Sequence, residues 1–174
     1  MPTQRGPVMI NTGHGKGKTT AALGAVLRAA GRGLKVLVLQ FLKEPGDYGE
    51  LAGVGFLPGA EIRTRGLGLI EDGDDQGPHR AAAARAWREA RREVLSGGWD
   101  LVVLDELCVA LHFGFVPTEE VVELMHAKPP ALILFITGRY CPEELFAHAD
   151  TVTRMQAVKH HLGAGLESQP GVEY

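Results

Sequence analysis

Cysteine is scarce. Cys108 and Cys141 are the only two, far apart and in no C-x-x-C arrangement, so neither a disulfide framework nor a cysteine zinc site is expected, and both are read as reduced thiols. A basic excess is missing as well: 18 Lys and Arg stand against 21 Asp and Glu, a formal charge of -3, which is a poor footprint for a chain that lives on nucleic acid or an anionic membrane. Any phosphate must therefore be held locally. Long apolar runs are absent too. Val8-Met9-Ile10 is far shorter than the apolar region of a secretory signal, and no run reaches transmembrane length. These absences predict a cytoplasmic protein with no nucleic-acid and no membrane partner. His14, His79, His112, His126, His148, His160 and His161 show no H-x-x-x-H or H-E-x-x-H spacing, so no zinc site is expected.

What is present is a chain of 174 residues, 45% hydrophobic, which suits one domain (1–174) that buries a sizeable core without staples. Glycine is above average usage at 23 residues, and its placement is informative. Short apolar runs alternate with helical stretches, the pattern of βα units feeding a parallel sheet buried on both faces. Strands are predicted at 7–12, 35–41, 61–65, 100–105, 131–137 and 151–155, and helices at 19–31, 79–96 and 118–127, with a helical turn at 142–149. On the 79–96 helix Ala83, Trp87, Ala90 and Val94 share one face, leaving Arg80, Arg85, Arg88 and Arg92 for a solvated face with Glu89 and Glu93. Two glycine- and proline-rich stretches, 42–59 and 66–78, read as loops without regular structure, and Glu71, Asp72, Asp74 and Asp75 cluster in the second. Loops of that length in a compact domain are usually functional.

Between the first strand and the first helix lies Thr12-Gly-His-Gly-Lys-Gly-Lys-Thr-Thr20. Its end, Gly17-Lys18-Thr19, is that of a P-loop, but Thr12 stands where the strict G-x-x-x-x-G-K-[ST] pattern has its first glycine. The context supplies the rest. A phosphate chain needs backbone N–H groups turned inward, glycines at 13, 15 and 17 permit that approach, and the helix start adds the positive end of its dipole. Lys18 reaches the phosphates as a cation, Lys16 adds charge, and the Thr19 hydroxyl suits Mg²⁺, which prefers oxygen ligands. The 100–105 strand ends in Asp105-Glu106, where ligands gather in open α/β sheets, so either acid is a candidate to hold the magnesium. No serine, cysteine or lysine is spaced with a base to act as a nucleophile.

These residues, with Val38-Leu-Gln-Phe-Leu-Lys43, Val103-Leu-Asp-Glu-Leu107, Ile136-Thr-Gly-Arg139, Ala149-Asp-Thr-Val152, Val158-Lys-His-His161 and Gly171-Val-Glu-Tyr174, resemble the P-loop type of ATP:cob(I)alamin adenosyltransferases. The resemblance runs from Val8 to the last residue. It implies a three-layer P-loop NTPase (RecA-like) fold with a mostly parallel central sheet. It also implies transfer of the 5′-deoxyadenosyl group of ATP to the cobalt of a reduced corrinoid with tripolyphosphate as leaving group, the Co(I) of the substrate being the nucleophile. By motif, Gly13, His14, Gly15, Lys16, Gly17, Lys18, Thr19 and Thr20 would hold the nucleotide, with Arg139 a second cation for phosphate. Thr19, Glu106 and Asp105 would position Mg²⁺, and Lys18, Thr19 and Glu106 would carry catalysis. A homodimer and a reductase or flavoprotein electron donor are the family expectation.

Two departures stand out. The family commonly has Asn where this chain has His14. Members present G-F-T-W where this chain reads Gly66-Leu67-Gly68-Leu69, so Leu67 and Leu69 are the candidate corrinoid contacts in place of aromatics that displace the lower axial ligand of cobalt. The chain is also expected to lack the N-terminal extension that covers the site in some members. Two other readings fit the motif alone: a phosphotransferase or NTPase acting at the γ-phosphate, and a nucleotide-binding regulatory module.

Overall fold

The structure, a computed structural model, describes residues 5–70, 75–159, 165, 167–169 and 171–172. Strands β1 (Val8–Thr12), β2 (Val36–Gln40), β3 (Ala60–Thr64), β4 (Leu101–Asp105), β5 (Ile133–Thr137) and β6 (Thr151–Arg154) form one sheet in the order β3-β2-β4-β5-β1-β6. Every neighbouring pair is parallel, where the sequence predicted a mostly parallel sheet. The strand that enters the P-loop, β1, is separated from the acid-bearing β4 by β5, the arrangement of RecA-like P-loop proteins.

Because side chains alternate along a strand, each strand feeds two cores. Val36, Val38, Leu101, Val103 and Phe135 face α1 (Lys18–Ala30), which contributes Ala22, Val26 and Ala29. Leu37, Leu39, Val102, Leu104, Leu134 and Ile136 face the other way. There they meet α3 (Gln76–Leu95), α4 (Leu107–His112), α5 (Thr118–Ala127) and a 3₁₀ helix at Glu143–His148. Helices thus cover both faces of the sheet and leave its carboxyl edge as the place where a polar site can be built. Among the described residues no helix is long and apolar enough to cross a membrane.

The face read on α3 is buried as expected at Ala83, Trp87, Ala90 and Val94. The helix starts earlier than predicted, at Gln76, because the Asp75 carboxylate accepts the Gly77 N–H at 2.9 Å and Pro78 sits in the first turn, where a missing N–H costs nothing. Glu71, Asp72 and Asp74 lie outside the described residues. Glu89 and Glu93 are not simply solvated: Glu89 binds Arg63 and Arg65 of the β3 edge, and Glu93 binds Arg63, Arg92 and the Trp99 indole.

The stretch 42–59 does carry regular structure, against the sequence reading. Helix α2 (Gly49–Gly55) forms there despite three glycines, because Val54 is buried against the sheet and that burial outweighs their poor propensity. Helix α4 is a second element the sequence did not announce.

Candidate nucleotide site

The loop from Gly13 to Gly17 follows β1 directly and ends at α1. Gly13 has φ +97 and Gly17 φ +113, conformations that strain any residue with a Cβ. Gly13 therefore supplies the freedom the strict pattern assigns one residue earlier, and Thr12 stays in the strand. Gly13 and Gly15 are also closed off sterically, since a Cβ on either would run into the backbone of Met155 or Gln156 just after β6. The Gly15 N–H donates to the Met155 carbonyl at 2.9 Å, and Met155 N–H donates to the Thr12 carbonyl at 2.8 Å. The edge strand β6 is thus what braces the loop.

Lys18 opens α1 and is buried at 6% exposure, its ammonium donating to the Gly15 carbonyl at 2.9 Å. Burial lowers its pKa, against the raising pull of Glu106 and the further lowering effect of Arg139. A buried ammonium hydrogen-bonded to a carbonyl rather than to a carboxylate suits phosphate oxygens as further partners.

Thr19 and Asp105 meet as the sequence predicted: the Thr19 hydroxyl donates to Asp105 Oδ1 at 2.9 Å. The sequence reading missed two further partners of the same carboxylate, which is 2% exposed. Thr137 Oγ1 donates to Oδ1 at 2.7 Å and Gln40 Nε2 to Oδ2 at 3.2 Å. Thr137 also accepts the Glu106 N–H at 2.9 Å. Their signal was available: each is a polar residue closing an otherwise apolar, buried strand. Gln40 Oε1 is the one buried side-chain polar atom without a partner among the described residues.

Burial raises the Asp105 pKa despite the hydrogen bonds from Thr137, Thr19 and Gln40. Glu106 is raised first by burial and then by the charge of Asp105, with Lys18 and Arg139 opposing. Glu106 also has φ +59, an uncommon conformation for a side chain of its size, at the point where β4 turns into α4. Thr19, Asp105 and Glu106 offer hydroxyl and carboxylate oxygens in one place, a donor set that suits a hard divalent cation such as Mg²⁺ and would relieve the cost of two buried carboxylates.

Thr19 and Glu106 line a cleft of about 680 Å³ together with Lys16, Gly17, Lys18, Thr20, Leu23, Lys43, Gly49, Glu50, Leu69, Arg139, Gly171 and Val172, whereas the buried Asp105 is not among the lining residues. Lys43 pairs with Glu50 at the start of α2, and Lys16 Nζ donates to the Val172 carbonyl at 2.8 Å, which brings the tail onto the loop. Arg139 follows β5 at Gly138, where φ is +140 and a Cβ would sit 2.8 Å from Cys108 Cβ. Of the two predicted apolar contacts, Leu69 lines the cleft and is 80% exposed, whereas Leu67, 45% exposed, is not among the lining residues. His14 is exposed beside the ring of Tyr140. His160 and His161 lie outside the described residues.

Comparison with known proteins points in one direction. Residues 4–174 match the family model described as ATP:corrinoid adenosyltransferase BtuR/CobO/CobP. The chain is 37% identical over 171 residues to the corrinoid adenosyltransferase of Escherichia coli K12, covering 98% of this chain and 87% of that protein. It is 36% identical over 171 residues to the corrinoid adenosyltransferase CobA of Salmonella typhimurium, with the same coverage of 98% and 87%. A corrinoid adenosyltransferase from a Sinorhizobium species is 34% identical over 174 residues, covering 98% of this chain and 81% of that one.

Proposed function

This chain belongs to the ATP:corrinoid adenosyltransferase family BtuR/CobO/CobP, and we propose that it moves the 5′-deoxyadenosyl group of ATP onto the cobalt of a reduced corrinoid and releases tripolyphosphate. The observation that carries the reading at the level of geometry is the Lys18–Thr19–Asp105–Glu106 constellation at a glycine loop braced by Met155. It sets a buried ammonium, a hydroxyl and two carboxylates beside a glycine loop, which supports the binding of a triphosphate with a counter-ion.

Mechanistically the electron pair comes from Co(I) of the substrate. The cobalt–C5′ bond forms as the C5′–O bond breaks, the electrons of that bond leave with the triphosphate, and cobalt ends as an alkylated Co(III) centre. No proton moves in this step, so no side-chain base is required. The protein's work is alignment and charge stabilisation. Loop N–H groups between Gly13 and Thr20, including those of His14, Lys16 and Gly17, would cradle the phosphates, while the Gly15 N–H stays bonded to Met155 and holds the loop in place. Lys18, with Arg139 at the cleft wall, would neutralise the charge that grows on the leaving group. Thr19, Asp105 and Glu106 would hold Mg²⁺, which when bound supplies a further positive centre at the phosphates. Leu69 and Leu67, on the segment before α3, are proposed as the apolar wall toward the corrinoid.

We further propose, from its length and composition, a single-domain protein of the cytoplasm and, from the family expectation, a homodimer served by a reductase or flavoprotein electron donor. The phosphorus-containing product tests the reaction type. ³¹P spectra of a turnover mixture should show tripolyphosphate, and formation of ADP with phosphate or a phosphorylated acceptor instead would contradict the proposal.

A further inference from the structure

Tyr140 presents an anomaly that the phosphate machinery does not use. Only two described residues other than glycine have positive φ, Glu106 at +59 and Tyr140 at +57, and each follows a strand end beside the phosphate loop. A tyrosine in that region carries a backbone cost. Burial does not offset it, because Tyr140 remains 48% exposed. What the conformation achieves is the placement of a ring. Tyr140 stacks on His112 at the end of α4, with centroids 4.4 Å apart and planes 24° apart, and meets His14 edge-on at 5.1 Å and 77°. The ladder continues from His112 to Phe113 at 5.3 Å and from Phe113 to Phe115 at 5.5 Å. His14 lies inside the phosphate loop between Gly13 and Gly15, and Tyr140 directly follows Arg139 of the cleft wall. An exposed aromatic surface thus adjoins the triphosphate cradle.

We infer that the rings of His14, Tyr140 and His112 form the platform on which the purine base of the bound nucleoside triphosphate stacks. This rests on the nucleotide reading above and deepens it by assigning the base. The nucleotide carries its flat, apolar π-surface at one end of a short, highly charged chain, so it needs rings near the cradle rather than more cations. The lining of the cleft carries no ring, His14, Tyr140 and His112 standing outside it beside Arg139 and the loop, and the Tyr48 ring is engaged by the Lys43 ammonium at 4.4 Å and packs against Gly46. The two imidazoles flanking Tyr140 are themselves exposed.

Isothermal titration of the full chain with MgATP and, separately, with magnesium tripolyphosphate distinguishes a base platform from a general structural role. Tyr140→Gly suits the positive φ and so preserves the backbone, and His112→Ala removes an exposed ring. Each is expected to weaken ATP binding by about tenfold, the scale of one lost base–ring stack, while tripolyphosphate affinity stays within about twofold. Tyr48→Leu is expected to leave the ratio of the two affinities unchanged. Equal weakening of both ligands by Tyr140→Gly, or of neither, would overturn the platform. A shift of the ratio by Tyr48→Leu instead would move the base to Tyr48 and overturn it equally. Failure of the unaltered protein to bind ATP at all would overturn the nucleotide reading itself, a result distinct from either.

Discussion

At the residue scale the site is a set of charges kept where water cannot fully solvate them. Burial first, then the charge of Asp105, raises the Glu106 pKa, and burial raises that of Asp105. Between the ordinary carboxyl value and the raised folded value the folded chain binds more protons than the unfolded one. The free energy of unfolding therefore falls as pH rises through that window, and the ionised pair costs stability at neutral pH. Glu106→Gln should accordingly raise the melting temperature of the ligand-free protein by a few degrees, roughly 2–4 °C per kcal/mol at this chain length, and flatten its decline with pH. The same substitution should lower turnover by at least about tenfold, because an amide neither neutralises a cation nor compensates Lys18. Calorimetry across the pH range and steady-state assays check the two halves, and a Glu106→Gln protein that is both less stable and fully active would contradict the assignment. Lys18→Ala removes the buried ammonium and should likewise depress turnover by about tenfold or more, measured with saturating corrinoid.

At the element scale the active edge depends on chain turns that accept no side chain and on segments the sequence only partly announced. Gly138 is the clearest case. Its φ is +140, and a methyl group on its Cα would stand 2.8 Å from Cys108 Cβ, so Gly138→Ala must displace either the end of β5 or the first turn of α4. A loss of about 2 kcal/mol in denaturant unfolding, with a larger fall in activity than in stability, is the expected outcome. The segment before α3 is tested differently. Phe at Leu67 or Trp at Leu69 should speed the reaction started from Co(II) more than that started from Co(I), as paired rate measurements would show.

Strands β1, β2, β4 and β5 were legible because each is a short apolar run feeding two cores, and α3 because its apolar face repeats with helical period. Helix α2 was not legible because Gly49, Gly53 and Gly55 mark a breaker by local propensity, and only the long-range burial of Val54 reverses that. Helix α4 hid in Leu-Cys-Val-Ala-Leu, an apolar run too short to show a period. In the site, loop and acids were legible as motifs. Thr137 and Gln40 showed only as polar residues closing apolar strands, and that they serve Asp105 becomes visible only once β2 and β5 lie on either side of β4.

At the scale of the whole molecule, a mildly acidic chain concentrates positive charge at one edge of one sheet. Lys16, Lys18, Lys43 and Arg139 all line the same cleft, so the proposed anion binding would be a local property on a net charge of -3. Added salt should therefore weaken ATP binding only modestly compared with a protein that binds through an extended basic surface. Titrations at two ionic strengths test this, and a steep salt dependence would contradict it. The sheet order that separates β1 from β4 by β5 brings Thr19 and Asp105 to hydrogen-bonding distance beside Thr137, and the return of the tail to Lys16 closes the cleft's rim.

The central claim is that this edge directs ATP to react at C5′ with a metal nucleophile carried by the substrate. Its most direct test is an anaerobic mixture of the purified protein, MgATP and chemically reduced cobalamin, followed by visible spectroscopy and then exposed to light. The predicted result is the spectrum of a cobalt–carbon bond that is lost on photolysis, with no such change when ATP is omitted. Intact ATP binding with no spectral change would contradict it.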